Sequence, residues 1–240
     1  LYDDITRITG NKGGVDGTNN MVCSAFEEGH SIWYFRAYDY AGVNKETGAA
    51  QFRNHEGKIV SSSELSDQDM TDIGSAIPRF TYGLTINLEY KGLDFSVFGT
   101  GVGGNKIFNI LYRADTPMRN SLKYYMDNAW SETNKNASMP AVANVAQDRY
   151  FWSSSASMFK GDYFKIKQIQ LGYTLPKTLT KKIALKELRF FVSLDDFFTF
   201  SSYPGMDPET ATTSNNGGGG YDIGTYPTMK KCTFGASFAF

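Results

Sequence analysis

The sequence predicts an all-β chain and, within that class, part of a transmembrane antiparallel β-barrel. Three observations point there. Several segments alternate between apolar and polar residues over about a dozen positions, roughly twice the usual strand length of soluble domains. The connections between them are alternately short and long, as in outer-membrane barrels. The last segment alternates to its end, with Cys232, Phe234, Ala236, Phe238 and Phe240 on one side; such a strand can close a barrel and leave no edge.

Composition agrees. The 240 residues include 15 Tyr, 18 Phe and 24 Gly, a mixture that suits strands and turns. A formal net charge of -1 gives no electrostatic reason to expect nucleic acid as a partner. No apolar run approaches the roughly 20 residues of a spanning helix. Barrels escape that test, because only every second residue faces lipid. Cys23 and Cys232 are too few for a disulfide framework. Leu1-Tyr2-Asp3-Asp4 lacks the basic and apolar character of a leader and reads as mid-sequence.

The first strand candidate, Ile32 to Tyr40, is weak. The best is Phe80 to Tyr90. There Phe80, Tyr82, Leu84, Ile86, Leu88 and Tyr90 share one face and Thr81, Gly83, Thr85, Asn87 and Glu89 the other. Lys91-Gly92 predicts a tight turn into a partner with Leu93, Phe95 and Val97 on one side. Next come Phe164 and Ile166, then Ile169, Leu171, Tyr173 and Leu175; the change of parity at Lys167-Gln168 predicts a bulge. Leu188, Phe190, Val192, Leu194, Phe198 and Phe200 form the fourth face, and the closing segment the fifth.

Alternation by itself fits a soluble sandwich as well as a barrel. Length separates them better. A dozen residues at ~3.3 Å span ~40 Å, and a ~45° tilt leaves ~28 Å along a membrane normal. Residues 91–92 and 176–186 make short connections, and those near 104–160 and 201–228 are long. The long ones are the expected outer loops. Aromatics then fall where girdles belong, with Phe80, Tyr82, Phe164, Phe198 and Phe200 at the outer rim and Tyr90, Tyr173 and Phe240 at the inner. The 104–160 stretch reads as a disordered-looking insertion.

Few residues suggest chemistry. Gly99, Gly101 and Gly104 in GTGVGG match a dinucleotide fingerprint in letters only. The following helix and the acidic residue ~20 positions on are missing, so we read them as a strand end. Asp67, Asp69 and Asp72 are oxygen ligands in type, but the glycine and glutamate of a calcium loop are absent, and a solvated acidic turn is the simpler reading. Asp207-Pro208-Glu209 reads as a turn. His30 and His55 are the only histidines, and neither belongs to a recognisable triad; neither an enzyme nor a bound cofactor is expected. Residues 214–220, Ser-Asn-Asn-Gly-Gly-Gly-Gly, read as a loop tip. Trp130, Tyr150, Phe151 and Trp152 are candidate exposed aromatics for binding substrate or partner, since ring faces stack on sugars and pack on proteins.

Five stretches in order resemble one family. PRFTYGLTINLEYKGLDFSVFGTGVGGNKIFN (78–109), GDYFKIKQIQLGYTLPKTL (161–179), LDDFFTFSSYPGMDPE (194–209), YPTMKKCTFGASFAF (226–240) and YDYAGVNKETGAAQFRN (38–54) are similar to motifs of SusC/RagA-type TonB-dependent transporters of Bacteroidetes. The resemblance implies that residues 1–240 are the C-terminal portion of a barrel of about 22 strands, supplying its last six to eight strands. It implies outer-membrane import of a nutrient, an oligosaccharide first and a peptide second. A SusD-like lipoprotein, the TonB complex acting through an N-terminal plug, and the barrel-assembly machinery would be partners; Phe234, Phe238 and Phe240 resemble the assembly signal. Asp196 departs from the family's usual Asn, and strand parity puts it on the lipid face, where a carboxylate is costly. Cys232 is also uncommon there. The rival readings are a soluble carbohydrate-binding sandwich, with Ile86 packed against a second sheet, and an outer-membrane enzyme built around His30 or His55.

Overall fold

A computed structural model describes residues 7–8, 23–26, 29–31, 34–109, 123–142, 148–211, 219–222 and 224–240. Its strands are β1 (Arg7–Ile8), β2 (Cys23–Phe26), β3 (Tyr34–Val43), β4 (Ala50–Arg53), β5 (Ile59–Ser61), β6 (Met70–Ser75), β7 (Phe80–Tyr90), β8 (Leu93–Gly103), β9 (Lys106–Asn109), β10 (Met158–Lys160), β11 (Tyr163–Thr174), β12 (Glu187–Ser201), β13 (Tyr221–Asp222) and β14 (Lys231–Ala239).

The long strands form one antiparallel sheet in the order β14-β12-β11-β8-β7. The pairing aligns apolar residues into rows across all five strands, such as Ile86, Val97, Ile169, Leu194 and Cys232. The next row on the opposite face is Asn87, Ser96, Gln170, Ser193 and Thr233. Period-two alternation therefore survives as a two-faced sheet. Leu84, Ile86 and Leu88 are 52%, 42% and 60% exposed, and none belongs to the three apolar cores. A sandwich would have covered them. A continuous apolar face of this size suits hydrocarbon, not water. No helix of the described residues is long and apolar enough to cross a membrane.

Gly99, Gly101 and Gly103 of GTGVGG lie within β8 and Gly104 just past its end; Gly99 and Gly101 serve the apolar face. A Cβ at Gly99 would meet the Phe164 ring at 2.6 Å, and one at Gly101 would meet the Tyr82 ring and the Tyr163 carbonyl. The absent side chains let the large rings lie across β8. Tyr82 stacks on Phe164 at 5.8 Å, and Phe164 on Phe200 at 6.5 Å. The expected outer girdle is thus a ladder of rings over a glycine track.

All three apolar cores lie outside the long sheet, in β3, β4, β9, β10 and the segments around them. The expected strand from Ile32 is a ten-residue β3 that pairs with β2, β4 and β6 away from the long sheet; Ile32 itself lies outside the described residues. The 104–160 connection is not featureless. It holds β9, β10 and the short helices Lys123–Asn128 and Arg149–Trp152, and its aromatics pack inward with β3 and β4. Of the glycine-rich stretch, 214–218 lie outside the described residues.

Candidate functional site

The polar face of the long sheet carries a buried charge cluster at its loop end. Lys165 stands on β11, opposite Thr100 of β8 and Thr199 of β12. Its side chain is 2% exposed. The ammonium donates to Asp207 Oδ2 at 2.8 Å, Glu209 Oε2 at 2.8 Å and Thr228 Oγ1 at 2.9 Å. All three acceptors come from the connection between β12 and β14. Lys167 donates to the same Glu209 oxygen at 2.7 Å and lies 3.2 Å from Asp196 Oδ1.

Asp207 is held from both sides. Its Oδ2 accepts from the Thr228 backbone N at 3.0 Å and from Thr228 Oγ1 at 2.6 Å, and its Oδ1 accepts from the Glu209 backbone N at 3.0 Å. Pro208 has no N–H to leave unsatisfied at the start of the helical turn Pro208–Ala211. The Asp-Pro-Glu turn therefore exists, but it presents both carboxylates to one cation. Burial opposes the Asp207 charge, yet the hydrogen bonds from Lys165 and Thr228 hold its carboxyl below the usual range. Glu209 is likewise desolvated and likewise held low, by Lys165 and Lys167.

Asp196 completes the cluster through a bulge. Between the pairs Gln168–Asp195 and Ile166–Phe198, β11 spends one residue and β12 spends two. Asp196 sits there at φ 57°, in the left-handed region that Asp and Asn tolerate better than most residues. This corrects its expected place on the lipid face. The left-handed backbone at the bulge turns the carboxylate toward Lys167, while Leu194 and Phe198 on either side keep to the apolar rows.

A second buried group ties the same loop down. Asn109 Nδ2 donates to Tyr203 Oη at 2.7 Å, and that hydroxyl donates to Asp222 Oδ2 at 2.5 Å. Tyr203 also packs with Ile107 and Ala211. Between them the two groups tie Tyr203, Asp207, Glu209, Asp222 and Thr228 to the loop end of the sheet.

The aromatic candidates fare differently. Phe151 and Trp152 are 1% and 4% exposed and share a core with Tyr38, Phe52, Leu65 and Met139. This corrects the expectation of exposure: consecutive rings beside β3 and β4 have an apolar surface to cover, and that burial outweighs display. Tyr150 is half-buried, edge-on to Tyr38 at 5.2 Å. Trp130 is half-buried as well; its Nε1 donates to the Lys45 carbonyl at 3.1 Å, and its ring occupies the space that a Gly48 side chain would need. Phe234, Phe238 and Phe240 are exposed along the apolar face.

Asp67, Asp69 and Asp72 do not converge. Asp69 accepts from the backbone N and Nδ1 of His55 and from the backbone N and Oγ of Ser66. Asp72 takes His30 Nδ1 and the Gly74 backbone N, and among the described residues no trio of His, Cys, Asp or Glu is grouped for a metal ion.

An amphipathic antiparallel sheet with its loops folded over the polar face at one end is the wall of an outer-membrane-type barrel. No family model matches the sequence. Over 234 residues, 89% of the chain, it is 31% identical to TonB-dependent receptor P3 of Formosa agariphila. It is 25% identical over 199 residues to TonB-dependent receptor P26 of the same organism. The chain spans about a fifth of the length of these relatives. The RagAB peptide importer in its closed-closed state matches the whole chain with a TM-score of 0.78 at 22% identity, over 25% of its own chain; at that identity the likeness concerns the fold. The chain corresponds to a SusC/RagA-like part of the TonB-dependent receptors.

Proposed function

We propose that the chain forms wall and outer loops of a TonB-dependent outer-membrane importer of nutrients. The apolar face meets lipid, and the polar face lines the lumen. The observation that carries this reading is the Lys165 cluster. It commits buried charge to holding Asp207, Glu209 and Thr228 over the loop end of the polar face, which a passage for selected solutes needs and an open pore does not. The relatives named above are receptors of the TonB-dependent class, which supports energy-coupled import over catalysis. A SusD-like lipoprotein is the expected cap over the loops, and TonB acts through a plug supplied by other residues.

The first substrate reading is an oligosaccharide, taken up on the half-exposed faces of Trp130 and Tyr150 by ring stacking. A peptide is the second reading, favoured by the likeness to the RagAB peptide importer. Deleting the gene and measuring growth on purified polysaccharides and on peptides as sole nutrients separates the two. Loss on neither, or uptake that persists without TonB, overturns the import reading.

A further inference from the structure

The end of the long sheet away from the loops carries positive charge that the protein leaves unneutralised. The connection between β11 and β12 coils into the short helix Lys177–Thr180 and a 3-10 turn Lys181–Ile183. Lys177, Lys181, Lys182 and Lys186 are all exposed along it, and Lys91 is exposed in the neighbouring turn. Among the described residues none of the five forms an ion pair. The carboxylates nearby do not offset them: Asp94 is taken by Arg189 in a two-point contact, and Glu89 and Glu187 fall on the polar-face register.

Two apolar side chains stand among these lysines. Leu179 and Ile183 are 49% and 56% exposed, and four positions apart on a helical path they share a side. They extend a graded surface. The apolar band ends in Tyr90, Tyr173, Phe238 and Phe240, each exposed, and Lys91 Nζ lies 5.1 Å over the Tyr90 ring. Hydrocarbon-facing residues, then aromatic rings, then long cations is the order in which a bilayer presents acyl chains, interface and phosphate.

We propose that residues 176–186, with Lys91, are a docking surface for anionic glycerophospholipid headgroups. The proposal rests on the membrane-spanning reading above. Leu179 and Ile183 lie at the acyl boundary, and the lysines meet the phosphates around them. A zwitterionic headgroup satisfies the apolar pair but not the charge, so the surface selects for net negative lipid.

The test uses the intact transporter in nanodiscs with spin-labelled phosphatidylglycerol or phosphatidylcholine. The protein should favour phosphatidylglycerol at its boundary by roughly several-fold, as expected for a cluster of lysines at a charged surface. In the variant carrying Lys177→Gln, Lys181→Gln, Lys182→Gln and Lys186→Gln the preference should fall toward unity, and the four Lys→Arg changes should keep it. Equal preference in the wild type, or a preference untouched by the four glutamines, overturns the proposal. A label at Ile86→Cys, in a background with Cys23, Cys232 and any other cysteine of the intact transporter replaced by Ser, reports the spanning reading separately. Contact with oxygen in the bilayer but no lipid preference rejects the anchor alone; no contact rejects the membrane reading beneath it.

Discussion

The Lys165 ammonium and the Asp207 carboxylate meet at 2.8 Å with side chains 2% and 5% exposed, although 42 positions separate them in the chain. One belongs to a strand wall and the other to a loop. Desolvating both ions is costly, and the interaction is favourable only because each finds further partners: Glu209 and Thr228 for the lysine, Thr228 and the Glu209 backbone for the aspartate. The pair therefore specifies where the loop sits.

Removing the cation should release the loop. Lys165→Met leaves two carboxylates desolvated and is expected to weaken docking by about 3–5 kcal/mol, the usual cost of breaking a buried pair. Hydrogen exchange of residues 203–211 should rise while that of β8 stays unchanged. Lys167→Met, whose side chain is 25% exposed, should do less. Unaltered exchange in Lys165→Met would show that the loop is held elsewhere.

The clamp should tolerate mild acid. Asp207 and Glu209 both have folded-state pKa values below their ordinary ones, so their contribution is complete above the unfolded carboxylate range near 4 and is lost as pH falls through the depressed values. Exchange of residues 203–211 should be flat from pH 7 to about 5 after correction for intrinsic rates, and rise only below the normal carboxylate range. Loosening between pH 7 and 5 contradicts this account.

The glycine track predicts a position-specific sensitivity. Gly101→Ala brings a methyl against the Tyr82 ring and the backbone carbonyl of Tyr163 at 2.6 Å, and a carbonyl in a sheet ladder cannot step aside. The expected cost is about 1–3 kcal/mol, read as a lower urea midpoint of the assembled barrel. Gly83→Ala, whose nearest contact is 3.5 Å, serves as the control and should shift the midpoint little.

At the bulge, shape and charge can be separated. Asp196→Asn keeps a residue suited to positive φ and loses the negative charge facing Lys167, so a modest loss is expected. Asp196→Val places a β-branched residue at φ 57° and should cost about 1–3 kcal/mol. Equal stability of the two variants would remove the conformational argument.

The aromatic set divides by burial. Phe151→Ala and Trp152→Ala should destabilise the loop assembly by about 3–5 kcal/mol, seen as increased proteolysis between β9 and β10, with binding lost only as a consequence. Trp130→Ala, on a half-exposed ring, should reduce ligand affinity more than loop stability. If calorimetric titration with the imported ligand finds affinity unchanged in that variant, the stacking role falls.

Sequence alone determined the five long strands, their two faces and the bulge at Lys167-Gln168, because period two is a local property that pairing merely copies from strand to strand. It also carried the girdle residues and the relation to TonB-dependent receptors, whose motifs follow the strands. The tertiary structure decided what the polar residues do. Lys165 reads as one more lumen-side residue until a loop 42 positions away folds back onto it, and Asp-Pro-Glu reads as a turn until both carboxylates meet one ammonium. Phe151 and Trp152 look available in the chain and are buried in the fold, since nothing local announces that β3 and β4 will cover them. Asp196 faces lipid by simple counting and Lys167 by structure, because the bulge turns that one residue while Leu194 and Phe198 on either side keep their face. Alternation is written residue by residue, whereas desolvated ion pairs and loop cores depend on contacts between distant segments, which only the folded chain brings together.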